Sequence, residues 1–290
     1  MNMVLYKKIK KVFKALYKAL FIRLDAIERK NNEYVKAIDI NDIPLPVEVE
    51  IETINRCNGI CPFCPVNVNE PQRPYAKMKE SLFYKIIDEL EEINYSGNLA
   101  IFSNNEPFLD ERLVDFAKYA REKLPNAFCH LYTNGSLLTV EKLYAIEPYL
   151  DRMIIDNYND TQELNKNVIL IKEELDKQPE LKEKIIISMR KQNEVLNSRG
   201  GLAPNKRDKA KRSRAKCVLP FQQLIIRPDG KISLCCADAL GKYTMGDLSQ
   251  NTIKEIWSSE KYMEVRKKMK KKGRKALYLC DKCDQVGGSV

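Results

Sequence analysis

The chain has 290 residues, 44% hydrophobic and 31% charged, with 11 glycines and 13 prolines. This excludes collagen, low-complexity disorder and a wholly unfolded chain, and leaves length for one large domain with or without a small appendage. Fifty Lys and Arg against forty Asp and Glu give a net charge of +10, which favours an acidic partner: a phosphorylated substrate, nucleic acid or an anionic membrane face.

Residues 1–30 read as a basic amphipathic helix. Leu5, Ile9, Val12, Phe13, Leu16, Leu20 and Leu24 recur at spacings of three and four, with lysines on the other faces. Such a helix can rest on an anionic membrane surface through residues 1–24. No uncharged apolar run approaches the roughly 18 residues that a spanning helix needs, and no cleavage site follows the interrupted run 12–24.

Alternating strand and helix patterns begin near residue 47. Strands are expected at 47–54, 99–102, 127–132, 152–155 and 185–188, with helices at 81–93, 109–124, 137–150 and 161–175. This order predicts an α/β fold with a parallel sheet, whose active site lies beyond the strands' C-terminal ends. The basic stretch 205–216 reads as a linker. Two further strands, 223–227 and 231–234, flank Pro228-Asp229-Gly230, a turn in which Pro fixes φ and Gly accepts positive φ. A terminal helix is expected at 252–271.

Nine cysteines accompany a single histidine, His130. The count is odd, the cysteines are grouped, and no secretory signal precedes them. A reduced cytoplasmic chain with nearly all-thiolate metal sites is therefore expected, either zinc or iron–sulfur. Cys57, Cys61 and Cys64 follow the first strand at spacing C-x3-C-x2-C, with no nearby fourth Cys or His for a closed zinc site. Cys217, Cys235, Cys280 and Cys283 form a second group, and four thiolates can saturate a cluster. Cys129 and Cys236 belong to neither group. His130, inside a strand, reads as structural.

The first motif resembles that of the radical S-adenosylmethionine (SAM) superfamily, including the aromatic Phe63 before the third cysteine. The second resembles the SPASM or twitch region, as do Gly246-Asp247-Leu248, residues 253–257, Arg266 and Cys280-Asp281-Lys282-Cys283. The resemblance implies a partial (β/α)6 TIM-like barrel at 47–200 and a C-terminal β-hairpin and helix subdomain at 201–290, with 1–46 as an N-terminal extension. It implies a [4Fe–4S] cluster on Cys57, Cys61 and Cys64 with SAM at its open iron, and one auxiliary [4Fe–4S] cluster on the other four. Glu106, in Asn105-Glu106-Pro107, would hold the SAM amino group, although asparagines stand where the family often has glycines. Asn157, Ser188 and Arg190 would meet the SAM ribose and carboxylate.

Tyr132 to Gly135 and Arg199-Gly200-Gly201 resemble segments of single-auxiliary-cluster members that oxidise a cyclitol alcohol. That likeness implies an active-site role for Arg199. This chain departs after the second auxiliary cysteine, where Cys236-Ala237 replaces an aromatic and a glutamate. The expected function is hydrogen abstraction from a sugar or cyclitol carbinol carbon, ending in oxidation, or in epimerisation if Cys236 returns a hydrogen. A ribosomal-peptide maturase and a zinc-stabilised binding module are the alternatives. The expected partners are a small-molecule substrate, with a phosphorylated or nucleotide-linked sugar as one form, and an external one-electron donor. Nucleic acid is not expected, because aromatics do not interleave the basic runs.

Overall fold

The computed structural model describes residues 24–68, 72–206 and 212–286; the expected helix 1–30 therefore lies mostly outside the described residues. Its continuation, α1 at 24–37, buries Val35 completely. Asn31 Nδ2 donates to Val286 O (2.8 Å), and Asn32 Oδ1 accepts from Lys216 N (2.9 Å), which joins α1 to the C-terminal part of the chain. Among the described residues, no helix is long and apolar enough to cross a membrane.

One eight-stranded sheet organises the rest. Its parallel strands are β1 (Glu48–Ile51), β2 (Asn98–Ala100), β3 (Phe128–Thr133), β4 (Arg152–Tyr158) and β5 (Ile185–Arg190). They are followed in the chain by β6 (Gln223–Ile226), β7 (Lys231–Ser233) and β8 (Thr244–Asp247), giving the spatial order β5-β4-β3-β2-β1-β6-β7-β8. Strand β6 runs parallel to β1, whereas β7 and β8 return antiparallel. The α/β expectation holds, and the sheet stays open. Its sixth parallel strand does not follow β5: it comes from the C-terminal part and pairs with β1, so the expected hairpin continues the main sheet.

Between the strands run α2 (Glu80–Glu92), α3 (Leu113–Lys123), α4 (Val140–Ile146) and α5 (Lys166–Lys177). Helix α2 buries Phe83, Ile86, Ile87 and Leu90, at the three- and four-residue spacing of one helical face. Each such side chain contributes roughly 1.5–3 kcal/mol of burial. Phe83 stacks on Phe116 of α3 at 4.0 Å between ring centroids. On β4 burial alternates: Met153, Ile155 and Asn157 are buried, whereas Arg152, Ile154, Asp156 and Tyr158 are half-buried on the opposite face.

A short helix α6 (Pro179–Lys184) precedes β5, and α7 (Leu219–Gln222) precedes β6. The expected helix 252–271 is two helices, α8 (Ile253–Trp257) and α9 (Glu260–Lys272). Ser259 makes the break by accepting from Tyr262 N and restarting the helix as its N-cap. The buried Arg266 clamps the joint. Its guanidinium lies 4.0 Å from the Trp257 ring and 4.1 Å from that of Tyr262, and donates to Pro220 O and Trp257 O. The last helix, α10 (Tyr278–Asp281), carries Cys280.

Candidate active site

Cys57, Cys61 and Cys64 sit on the loop just beyond β1, half-buried. Cys64 N donates to Cys61 O (2.9 Å), and Gly59 N reaches Cys57 Sγ at 3.3 Å. Asn67 Nδ2 fixes the loop by donating to the carbonyls of Cys57 and Gly59. A Cβ on Gly59 would stand 3.5 Å from Cys57 Sγ and 3.7 Å from Cys61 Sγ, so glycine leaves the space beside these sulfurs open. Burial pushes the Cys57 thiol up to about 11 and the Cys61 thiol to about 12, and the neighbouring thiols add to the rise. Such a group of sulfurs loses its protons readily only to a metal. Three thiols converging beside an open space suit a cluster that keeps one iron free.

Two cavities meet beside this loop, sharing Phe63, Cys64, Tyr132, Asp156 and Tyr158. The first, about 320 Å³, takes in the three cysteines, Glu106 and Asn134. The second, about 390 Å³, is bordered by Glu48, Glu50, His130, Arg190, Arg199 and Cys236. Phe63 forms part of the wall between them, with its ring centroid 5.5 Å from that of Tyr158.

Glu106 lies on the first cavity but is only 2% exposed. Its carboxylate accepts from Thr133 Oγ1 (2.7 Å), Asn134 N (2.9 Å) and Phe108 N (3.2 Å). It thereby ties the end of β3 to the segment after β2. Burial raises its pKa, against the pull of these donors.

Asn157 departs from its expected role. Its side chain points to the helix side of β4, fully buried, where Nδ2 donates to Glu163 O and Oδ1 accepts from Asn165 N. It staples the β4–α5 loop, while its neighbours Asp156 and Tyr158 line the cavities. Ser188 stands opposite Asp156 in register and hydrogen-bonds its carboxyl, rather than lining either cavity. Arg190 does line the second cavity; Glu194 Oε2 accepts from its Nη2 (2.6 Å) and Nε (3.1 Å).

Arg199 takes a left-handed backbone, φ 48°, rare for a residue with a side chain. Its surroundings impose this geometry. Ser198 N donates to Asp284 Oδ1 (2.7 Å), and Ser198 Oγ donates to Lys282 O (2.7 Å). Gly200, also left-handed, packs where a Cβ would lie 2.6 Å from Leu279 Cδ1. The Arg199 guanidinium donates to Asn104 Oδ1, and its buried Nε has no hydrogen-bond partner among the described residues. Asn104 Nδ2 donates in turn to Cys236 O (3.1 Å).

Sequence reasoning missed the acidic side of the second cavity. Glu50 accepts from Ser103 Oγ and Gln223 Nε2, both at 2.5 Å, and burial lifts its pKa to about 8. Gln223 Oε1 accepts from Cys236 N (3.0 Å). His130, expected to be structural, lies on the cavity wall with Nε2 2.7 Å from Glu48 Oε1. The available signal was Glu48 and Glu50 within a strand buried at all four positions, since buried carboxyls need polar company.

Cys217, Cys235, Cys280 and Cys283 are all buried. The Cys235 thiol is pushed well up, first by burial and then by Cys236 and the other three thiols of its group. The nearby Arg274 guanidinium opposes the rise at Cys217 and Cys280. This donor set suits a fully ligated cluster. Among the described residues, no three Cys, His, Asp or Glu side chains are arranged to hold a single metal ion.

Comparison with known families matches two separate segments of the chain. Residues 51–159 match the radical SAM superfamily, and residues 217–284 match SPASM, an iron–sulfur cluster-binding domain. The chain is a radical SAM enzyme with a SPASM domain. Radical SAM domains carry a [4Fe–4S] cluster with SAM, and SPASM domains an auxiliary iron–sulfur cluster. The chain is 25% identical over 239 residues to the S-adenosyl-L-methionine-dependent 2-deoxy-scyllo-inosamine dehydrogenase of Niallia circulans, spanning 82% of this chain and 92% of that protein. Its fold is similar to that of BtrN in complex with AdoMet and 2-DOIA, with TM-score 0.73, 24% identity, and coverage of 86% of this chain and 97% of that one. It is also similar to native anSMEcpe with bound AdoMet, with TM-score 0.53, 14% identity, and coverage of 83% of this chain and 90% of that one.

Proposed function

We propose that this radical SAM enzyme removes hydrogen from a carbinol carbon of a small cyclitol or sugar and converts the alcohol to a ketone. Cys57, Cys61 and Cys64 hold the SAM-binding cluster, and Cys217, Cys235, Cys280 and Cys283 the auxiliary one. When bound, these groups supply a 5′-deoxyadenosyl radical and an acceptor for one electron. The carrying observation is the second cavity, which lies between the Cys64 loop and Cys236 and is walled by polar and charged side chains.

That wall selects a substrate class. Its three carboxyls, Glu48, Glu50 and Asp156, outnumber its two guanidiniums, Arg190 and Arg199. Such a lining favours hydroxyl and ammonium groups over phosphate, and about 390 Å³ suits one ring better than a peptide. Arg199, whose side chain borders this cavity, binds the carbinol oxygen. The ionised form of Glu50, populated as pH approaches its raised value of about 8, takes the hydroxyl proton as the alcohol becomes a ketone. Phe63 and Glu106 shape the SAM cavity, and Arg190 borders the substrate.

Epimerisation is the second reading, because Cys236 lies on the same cavity wall and its thiol could return a hydrogen. The test is to incubate the reconstituted enzyme with aminocyclitols, free sugars and nucleotide-linked sugars, and to follow substrate-dependent 5′-deoxyadenosine and product mass. Loss of two hydrogens from an aminocyclitol supports oxidation, and a mass-neutral stereoisomer supports epimerisation. Absence of 5′-deoxyadenosine with every substrate would overturn both. An external donor supplies the electron that starts turnover, and the basic amphipathic pattern of residues 1–24 suits contact with an anionic membrane.

A further inference from the structure

A cleft of about 540 Å³ shares no residue with either active-site cavity. It is formed by residues 212–216 and 271–275 with Asn32 of α1. Seven of its eleven lining residues are Lys or Arg, and none is acidic. Two basic runs that lie far apart in the sequence thus converge on one surface. Arg212 is paired with Asp281, and Lys216 Nζ donates to Lys270 O. Arg214, Lys271, Lys272 and Lys275 are exposed, without ion-pair or hydrogen-bond partners among the described residues.

The cleft adjoins the auxiliary cysteines through bonds of this chain. Its wall runs directly into Cys217, and Ser213 N donates to Cys283 O (3.0 Å). Arg274, 4% exposed, lines the cleft and donates through Nε to Ala215 O (2.8 Å). Its buried Nη1 has no partner among the described residues.

We propose that this cleft docks an acidic one-electron carrier protein of the flavodoxin or ferredoxin class beside the auxiliary cysteines. The inference rests on the oxidation reading above. Conversion of an alcohol to a ketone removes two electrons and two protons. One of each leaves as the hydrogen atom taken by the adenosyl radical. The remaining proton passes to solvent by way of Glu50, and the remaining electron, which balances the one spent on cleaving SAM, has two exits: back to the SAM-binding cluster, or out past the auxiliary cysteines to a carrier, the exit that a basic cleft beside them would serve. Exposed lysines on long stems, with no aromatic among them, suit an acidic protein better than a stacked nucleic acid. Their combined field would also speed encounter.

The test titrates a labelled acidic flavodoxin against the anaerobically loaded full chain at low and at physiological salt. Binding should weaken as salt rises. The combined variant Lys271→Glu, Lys272→Glu and Lys275→Glu should bind at least about tenfold more weakly. The same charge change at the exposed Lys118, Lys166 and Lys254 keeps the net charge equal and should bind nearly as the parent does. Thermal unfolding of both variants checks that the fold survives. Equal binding by the two variants would overturn the proposal, as would inorganic pyrophosphate filling the cleft without displacing flavodoxin. Ketone formation with a neutral chemical oxidant, alongside failed docking, would sink the docking site alone. No ketone with any oxidant would sink the oxidation reading.

Discussion

Gln223 Nε2 lies 2.5 Å from Glu50 Oε1, while the other end of the same amide accepts from the Cys236 peptide N–H. The carboxyl in the second cavity is thereby coupled to the backbone beside Cys235. Glu50→Gln should leave SAM cleavage in place and slow ketone formation roughly a hundredfold, the range of a lost general base. Separate assays of 5′-deoxyadenosine and ketone would distinguish these effects; equal loss of both would refute the role.

The same carboxyl makes stability depend on pH. Burial raises Glu50 to about 8, well above its value in an unfolded chain. Between those two values the folded state binds more protons, so stability falls as pH rises through the window and levels off above about 8. Glu52, raised to about 7 by burial beside Arg73, acts in the same direction. Thermal midpoints from pH 5 to 9 should decline in the parent and decline less in Glu50→Gln.

Arg199→Lys keeps the charge but loses the planar fork that reaches Asn104. Loss of one charge-assisted hydrogen bond, about 1.5–3 kcal/mol, should lower kcat/KM for the substrate by about tenfold to a hundredfold. SAM affinity, measured by equilibrium binding, should not change.

Asn157→Ala provides the contrasting case. Both ends of that amide serve the β4–α5 loop. The variant should cost about 1–3 kcal/mol in denaturant unfolding and leave SAM binding intact. A large loss of SAM affinity at unchanged stability would restore Asn157 to the cofactor site.

Cys280→Ala should lower iron content from about eight to about four per chain, the loss of one cubane. SAM cleavage should persist while ketone formation stops. Cys61→Ala should abolish cleavage instead. Iron analysis with product assays separates the two centres.

The cysteine spacings made both groups of thiols legible in the sequence, and the alternation of apolar runs made the parallel sheet legible. The site walls were harder to read. Position at a strand end points to Asn157 only if the pleat is ignored, for the apolar Met153 and Ile155 already assign odd positions of β4 to the helix side. The break at Ser258-Ser259 was hidden because apolar periodicity continues across it; only the Ser259 cap and the Arg266 clamp reveal it. Pairing of β6 with β1 depends on contacts more than 170 residues apart, which local pattern does not encode.

Ser198 bonds to both Asp284 and Lys282, so the turn that carries Arg199 is sewn to the loop that carries Cys283. A displacement of the loop around Cys283 is therefore felt at the turn that holds Arg199, so the two ends of the C-terminal region move as one piece.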